Sequence, residues 1–443
     1  MSTFISSKRI FYLCTQDPDN ISYNLNKALI MEGNFDPFTL NGYMNTLIQR
    51  HESFRTSFHW EQGEPIQRIH ENVDFSIETL PDVIRGTEAV EDVVKQFVRP
   101  FDLEAAPLIR MIVGSLDDGR HLLMFDVHHL VTDGMSMDNM MHEITSMYSG
   151  SPLPDIPYQY RDYSEWSNQY QQSDSIKSQE AFWLETLKGP LPTLQLPTDF
   201  IRPDRKTYDG AKMTFYADKA LTARIGKLGA RTGTTLYMLL LSALNVLLHK
   251  YTNQSDILIG SPVTGRQQGN FDATIGMFVN TIVLRNEPVP DDSFRELLLD
   301  VKQRTLSAFA HQDCQFDRIV QLVNSTRDPS RNPLFDVYFA LQNVGMYTGE
   351  IEAFKGTLID YDSGVSRFDL ALDAIEREGT IEFILEYNTS LFLPGTAEYI
   401  AKDFVKILEI ISEQPDTLIY DIEVDRVTDI TDEAVDEEVN FNF

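Results

Sequence analysis

The stretch His128-His-Leu-Val-Thr-Asp-Gly134 lies where an apolar strand gives way to a helix. Ahead of it, Leu122, Leu123, Met124, Phe125 and Val127 read as a buried strand; behind it, Ser136 to Tyr148 has helical spacing, with Ser136 as the expected N-cap. Two histidines, an acid and a glycine are costly to place there, because unpaired charge and unsatisfied imidazole are disfavoured in an apolar setting. Chemistry is expected at such a turn. Adjacent side chains of an extended segment point to opposite faces, so His128 and His129 cannot both face one site. Gly134 permits a backbone geometry that other residues resist.

Three readings of the residues compete. The histidine that faces a cavity is a catalytic base or positioning group, with Asp133 as its orienter or as a structural ion-pair partner. Alternatively His128, His129 and Asp133 ligate a metal, which needs a further ligand that no second His-rich cluster among the nine histidines supplies. In the third reading both imidazoles are satisfied core groups. A Ser-His-Asp hydrolase is disfavoured, since there is no Gly-x-Ser-x-Gly elbow. Glycine-rich phosphate loops are missing as well, so ATP or NAD binding is not expected.

Outward from the motif, helical and strand patterns alternate, the signature of an α/β protein. Helices are expected over 37–51, 89–98, 136–148, 162–172 and 179–187, and strands over 56–60, 67–70, 108–114 and 121–127. Lys188 to Asp199 is proline-rich and aperiodic, the best linker candidate. Beyond it come strands over 212–216, 257–260, 279–284, 336–341 and 381–387, and helices over 220–232, 236–251, 293–310, 315–323 and 397–411. The division expected is an N-terminal lobe over 1–187, a linker over 188–210, a C-terminal lobe over 211–420 and an acidic tail over 421–443. That tail holds nine acids against one arginine.

At 443 residues the chain exceeds one ordinary core, so two lobes are the natural division. Its 37 basic and 67 acidic residues leave a net charge of −30, which repels nucleic acid and anionic lipid; neither is expected as a partner. Cys14 and Cys314 are too few for a disulfide framework or zinc cluster. No signal peptide is read at the N-terminus, and the apolar run Leu236–Leu248 reads as a core helix rather than a membrane span. The expected compartment is the cytoplasm.

His-His-x-x-x-Asp-Gly in this position resembles the condensation domains of nonribosomal peptide synthetases, and five further segments follow the family's order. Arg50-His-Glu-Ser-Phe-Arg-Thr-Ser-Phe58 lies ahead of the motif, and Tyr160-Arg-Asp-Tyr-Ser-Glu-Trp166 behind it. Ile275-Gly-Met-Phe-Val-Asn-Thr281, His311-Gln-Asp-Cys-Gln-Phe316 and Arg327-Asp-Pro-Ser-Arg-Asn-Pro-Leu-Phe335 complete the series, so that the likeness covers residues 4 to 420. Departures are Phe4-Ile-Ser-Ser-Lys8 ahead of Arg9, where the family carries Ser-x-Ala-Gln-x, Phe54 in place of leucine, and Cys314 in place of tyrosine.

The resemblance implies two chloramphenicol-acetyltransferase-like lobes in a V-shaped pseudo-dimer with a tunnel between them. It implies an acyltransferase in which the amine of an aminoacyl thioester attacks a donor acyl or peptidyl thioester, forming an amide. Both substrates ride on phosphopantetheine arms of carrier proteins, and the chain needs no bound cofactor of its own. Donor and acceptor carriers are thus the expected partners of a monomer, with adenylation domains of the same synthetase as further candidates. Thr132-Asp-Gly-Met-Ser136 resembles domains that take an L-configured donor. In this reading His129 faces the tunnel as base or positioning group, and His128 faces the core. Asp133 holds the loop with Arg285 as its ion-pair partner, the Gly134 N–H lies near the oxyanion, and Ser136 and Asn280 line the tunnel. Arg50, His51 and Arg55 tie a helix end to the next strand, while Tyr163 and Trp166 pack a helix on the core. The alternatives are an epimerisation-type domain or a non-catalytic domain that recruits carriers.

Overall fold

The computed structural model describes residues 5–266, 271–323, 328–342, 350–351, 354–359 and 361–425. Phe4, Arg327 and the acidic stretch 426–443 lie outside the described residues. The chain begins with helix α1 (Ile5–Gln16), strand β1 (Asn24–Gly33), helix α2 (Pro37–Arg50), strands β2 (Thr56–Glu61), β3 (Glu64–Ile69) and β4 (Glu78–Thr79), and helix α3 (Thr87–Phe97). Strands β5 (Ile109–Ser115) and β6 (His121–His128) lead to helices α4 (Gly134–Tyr148), α5 (Tyr160–Tyr170) and α6 (Asp174–Thr186). Next come β7 (Gly210–Ala217), α7 (Lys219–Thr232), α8 (Leu236–Thr252), β8 (Ile257–Val263), β9 (Asn280–Asn286), α9 (Phe294–Ala310) and α10 (Phe316–Val323). Strands β10 (Val337–Gln342), β11 (Glu350–Ile351), β12 (Phe354–Leu358), β13 (Leu370–Arg377) and β14 (Thr380–Asn388) and helix α11 (Pro394–Glu413) complete the chain.

Packing divides the chain differently from the linear reading. One compact unit holds residues 1–177, 264–280 and 344–363, and the other holds 178–263, 281–343 and 364–443. The expected cut at 187/188 is therefore corrected. Two segments of the second half cross back, one bringing Arg266 and Phe278 beside Asp133, the other adding β12 to the edge of β1.

The first unit is built on a six-stranded sheet in the order β11-β12-β1-β6-β5-β4. Strand β6 lies between β1 and β5, antiparallel to both, and its last residue His128 pairs with Asn24. Both faces of β6 are buried, which explains its apolar run Leu122–Phe125. Leu123, Phe125 and Val127 pack with Met44 and Leu47 of α2 and Met140 and Ile144 of α4. Leu122 and Met124 pack on the other side with Val94 and Phe97 of α3.

The second unit has its own sheet, ordered β7-β14-β13-β10-β8-β9. Helix α8 starts at the Thr235 cap, whose side chain accepts from Met238 N, and is buried from Met238 to His249. No single helix among the described residues is long and apolar enough to cross a membrane. The proline-rich segment is no free tether: Leu194 and Leu196 join the core, Asp199 accepts from Leu393 N and Thr396, and Arg202 is bound to Asp369. Prolines there remove backbone donors, and side chains share the attachment with the remaining N–H groups, such as Asp199 N to the Leu391 carbonyl. The acidic tail also starts later than residue 421, because Ile422 and Val424 are buried in this core.

Gly260 of β8 lies under the Phe335 ring, where an added Cβ would stand 2.1 Å from Cε2. Gly260→Ala is expected to cost about 1–3 kcal/mol through overpacking. The check is a lowered midpoint of chemical unfolding; an unchanged midpoint would contradict this packing.

Candidate active site

Strand β6 ends at His128, and the chain then turns through Leu130 to Thr132 into α4. His128 is buried, its ring edge-on to Phe101. Its Nδ1 accepts from the Leu130 N–H at 3.1 Å, so Nε2 carries the proton, facing the Cys14 sulfur at 3.6 Å. Burial, helped by His129 and Arg110, pushes the His128 imidazolium down to about 3. This ring is neutral at physiological pH.

His129 is only partly buried. Its backbone N–H donates to the Tyr23 carbonyl at 2.8 Å, and its Nδ1 lies 2.7 Å from the Thr132 carbonyl oxygen. A carbonyl only accepts, so Nδ1 is the protonated nitrogen and Nε2 is the acceptor in the neutral ring. The two neighbouring histidines thus hold opposite tautomers.

Asp133 is fully buried and caps α4. Its Oδ1 accepts from Ser136 N at 2.8 Å and Arg266 Nη2 at 3.1 Å, and its Oδ2 from Phe278 N at 3.0 Å. Its partner is therefore Arg266 and not Arg285. Arg285 sits on β9 and is taken by Asp256 at 2.9 and 2.7 Å and by the carbonyls of Thr186 and Lys188. Arg266 also donates to the Phe271 and Thr274 carbonyls and stacks on the Phe278 ring at 3.7 Å. Gly265, at φ +66°, makes the turn that aims it; a Cβ there would stand 1.9 Å from the Phe278 oxygen. That glycine next to an arginine was the available signal.

Ser136 is not the cap either, because the helix begins two residues earlier. Its hydroxyl donates to the Gly276 carbonyl at 2.8 Å and accepts from Gly276 N and Arg266 Nη2, which ties α4 to the 264–280 segment. Gly134 is exposed, its φ lies outside the left-handed range, and nothing stands within 4 Å of a Cβ built on it. Neither backbone strain nor crowding requires glycine here, contrary to expectation. Asn280 is buried at the start of β9.

The surrounding residues brace this loop. Arg50 and His51 both bind Glu143 of α4 at 3.0 Å, so they join α2 to α4 rather than to the next strand. Arg55 does make that link, through the carbonyls of Ile48 and His70. Tyr160 and Tyr163 pack on Phe278, and the Tyr160 hydroxyl donates to the Met277 carbonyl at 2.7 Å. Burial pushes both Cys14 and Cys314 up to about 12, so neither is a nucleophilic thiolate near neutral pH. Among the described residues no three His, Cys, Asp or Glu side chains come together to hold a metal.

Residues 6–429 match the condensation domain family. The chain belongs to that family. It is 42% identical over 418 residues to Bacitracin synthase 3 of Bacillus licheniformis, covering 94% of this chain and 6% of that protein. Gramicidin S synthase 2 of Brevibacillus brevis is 39% identical over 421 residues, 95% of this chain and 9% of that protein. The condensation domain thus spans less than a tenth of these relatives. Among solved structures, a four-domain nonribosomal peptide synthetase bound to AMP and glycine superposes with a TM-score of 0.86 at 22% identity, over 95% of this chain and 34% of that one. The condensation domain of the Monacolin K polyketide synthase gives 0.86 at 20% identity, over 94% and 98%. The expected α/β fold is that of these domains.

Two expectations follow. Arg266→Ala strands the buried Asp133 charge and is expected to cost about 3–5 kcal/mol, whereas Arg285→Ala loses a partly exposed pair worth about 1 kcal/mol; equal losses of denaturation midpoint would refute the assignment. His128 bears on acid stability. An unfolded histidine titrates near ~6.5, so below that value the unfolded chain takes up a proton that folded His128 refuses down to about 3. Its contribution is intact above ~6.5 and falls away as pH drops toward 3. Asp126, pushed up to about 6 by burial against the pull of Arg110, acts in the opposite sense in both proteins. His128→Gln is therefore expected to flatten the acid-side decline in denaturation midpoint relative to wild type.

Proposed function

We propose that this condensation domain joins a donor acyl or peptidyl thioester to the α-amine of an aminoacyl thioester, both delivered on phosphopantetheine arms of carrier proteins. The observation that carries the reading is the fixed His129 ring, held through Nδ1–H by the Thr132 carbonyl with Nε2 as acceptor. An α-amine titrates near ~7.7–8.0, so a good fraction is already neutral and a strong base is not required. His129 Nε2 accepts a hydrogen bond from the attacking amine and takes its proton as the C–N bond forms; the C–S bond then breaks, and the donor arm leaves as its thiol with that proton. The thioester carbonyl gains negative charge in that step. The first N–H groups of α4, at Gly134 and Met135, have no acceptor among the described residues and present the positive end of the helix. Gly134 adds no side chain to block approach. His128 takes no part in the reaction, since it is neutral and buried.

The partners in this reading are a donor and an acceptor carrier, working with adenylation domains of one synthetase, and the domain contributes no cofactor of its own. The donor is L-configured, by the likeness of Thr132 to Ser136. The test is mass spectrometry with both carriers loaded. Wild type is expected to yield an amide on the acceptor carrier, and His129→Ala to lower its rate by about 10²- to 10⁴-fold without changing the melting temperature. An inverted α-carbon with no amide, or full activity in His129→Ala, would sink the reading.

A further inference from the structure

Three acids belong to α4 and its cap, and two have committed cations. Asp133 is bound by Arg266, and Glu143 by Arg50 and His51. Asp138 has neither a cation nor a hydrogen-bond donor among the described residues. It lies four residues beyond Gly134, and residues so spaced share one helix face. That face points away from the one that buries Ser136, Met140, Glu143 and Ile144, and it begins at the open space over Gly134. His142, four residues further along α4, is exposed.

Asp138 is nevertheless only partly exposed. Burial, reinforced by the charge of Asp133, pushes its carboxyl up to about 6. A half-buried carboxylate without a counter-ion is a standing attraction for a cation of the right reach. The reaction supplies one, because near neutral pH most of an α-amine is ammonium.

We propose that Asp138 is the binding residue for the acceptor substrate, pairing with the α-ammonium of the aminoacyl thioester before it loses its proton. The inference rests on the condensation reading given above. The pairing also has a direction: the amide product carries no charge, so the attraction vanishes when the bond has formed and the acceptor arm is released.

The test compares wild type, Asp138→Asn and Asp138→Glu with loaded carriers near neutral pH, varying the acceptor. Asp138→Asn is expected to raise the acceptor KM about tenfold, the effect of losing one charged contact, with kcat, the donor KM and the melting temperature unchanged. Asp138→Glu is expected to recover part of the loss. An acceptor carrier bearing an α-hydroxyacyl group should compete more weakly than an α-aminoacyl one for wild type, and equally for Asp138→Asn. An unchanged acceptor KM in Asp138→Asn, or a loss confined to kcat, would overturn the assignment while leaving the condensation reading intact. A wild-type protein that forms no amide overturns both.

Discussion

The Asp133 carboxylate is fully buried, and the site can exist only because three donors converge on it. One comes from its own helix, at Ser136 N, and two come from a segment more than 130 residues away, at Arg266 and Phe278 N. An unpaired carboxylate in that position would be expelled or protonated. The loop that carries His129 therefore holds its shape only when the 264–280 segment has docked. Gly265 turns that segment, Gly276 lets it pass close under the Tyr160 ring, and the Ser136 hydroxyl ties it down at both the N–H and the carbonyl of Gly276. Binding energy is thus spent on the loop's geometry rather than on touching the substrate.

On that frame the two histidines are driven apart in chemistry as well as direction. His128 belongs to the sheet, satisfied by its own turn and kept neutral by burial. His129 leaves the sheet, and the Thr132 carbonyl fixes which of its nitrogens carries the proton. A neutral neighbour matters here. A cationic His128 would make His129 a poorer proton acceptor by simple repulsion.

Legibility in the sequence followed how local each cause was. Strand β6 and helix α4 stood out because β6 is buried on both faces and α4 repeats its apolar residues at helical spacing. Their junction was two residues off, since Asp133 and Ser136 are both good caps and only packing chooses between them. Strand β1 was missed: Asn24 to Gly33 is poor in β-branched residues, and its extended state comes from pairing with β6 and β12. Leu-Ala-Leu-Asp-Ala-Ile-Glu-Arg of β13 is built of good helix formers, yet pairing with β10 and β14 overrides that preference. The partner of Asp133 was the hardest to read. Two arginines flank the Ile275–Thr281 segment, and a linear sequence does not say which one turns back; Arg266 does, and Arg285 goes to Asp256. Domain boundaries failed for the same reason, because two excursions return to the first unit. The ordered motifs, by contrast, were enough to identify the family.

The proposed reaction rests on His129 presenting Nε2 as the acceptor while its neighbour is held in the other tautomer. Long-range nitrogen–proton correlation on protein labelled with ¹⁵N-histidine reads this directly near neutral pH. The expected spectrum has His129 protonated at Nδ1 and a neutral His128 protonated at Nε2. A His129 protonated at Nε2, donating where the amine must donate, would contradict the account.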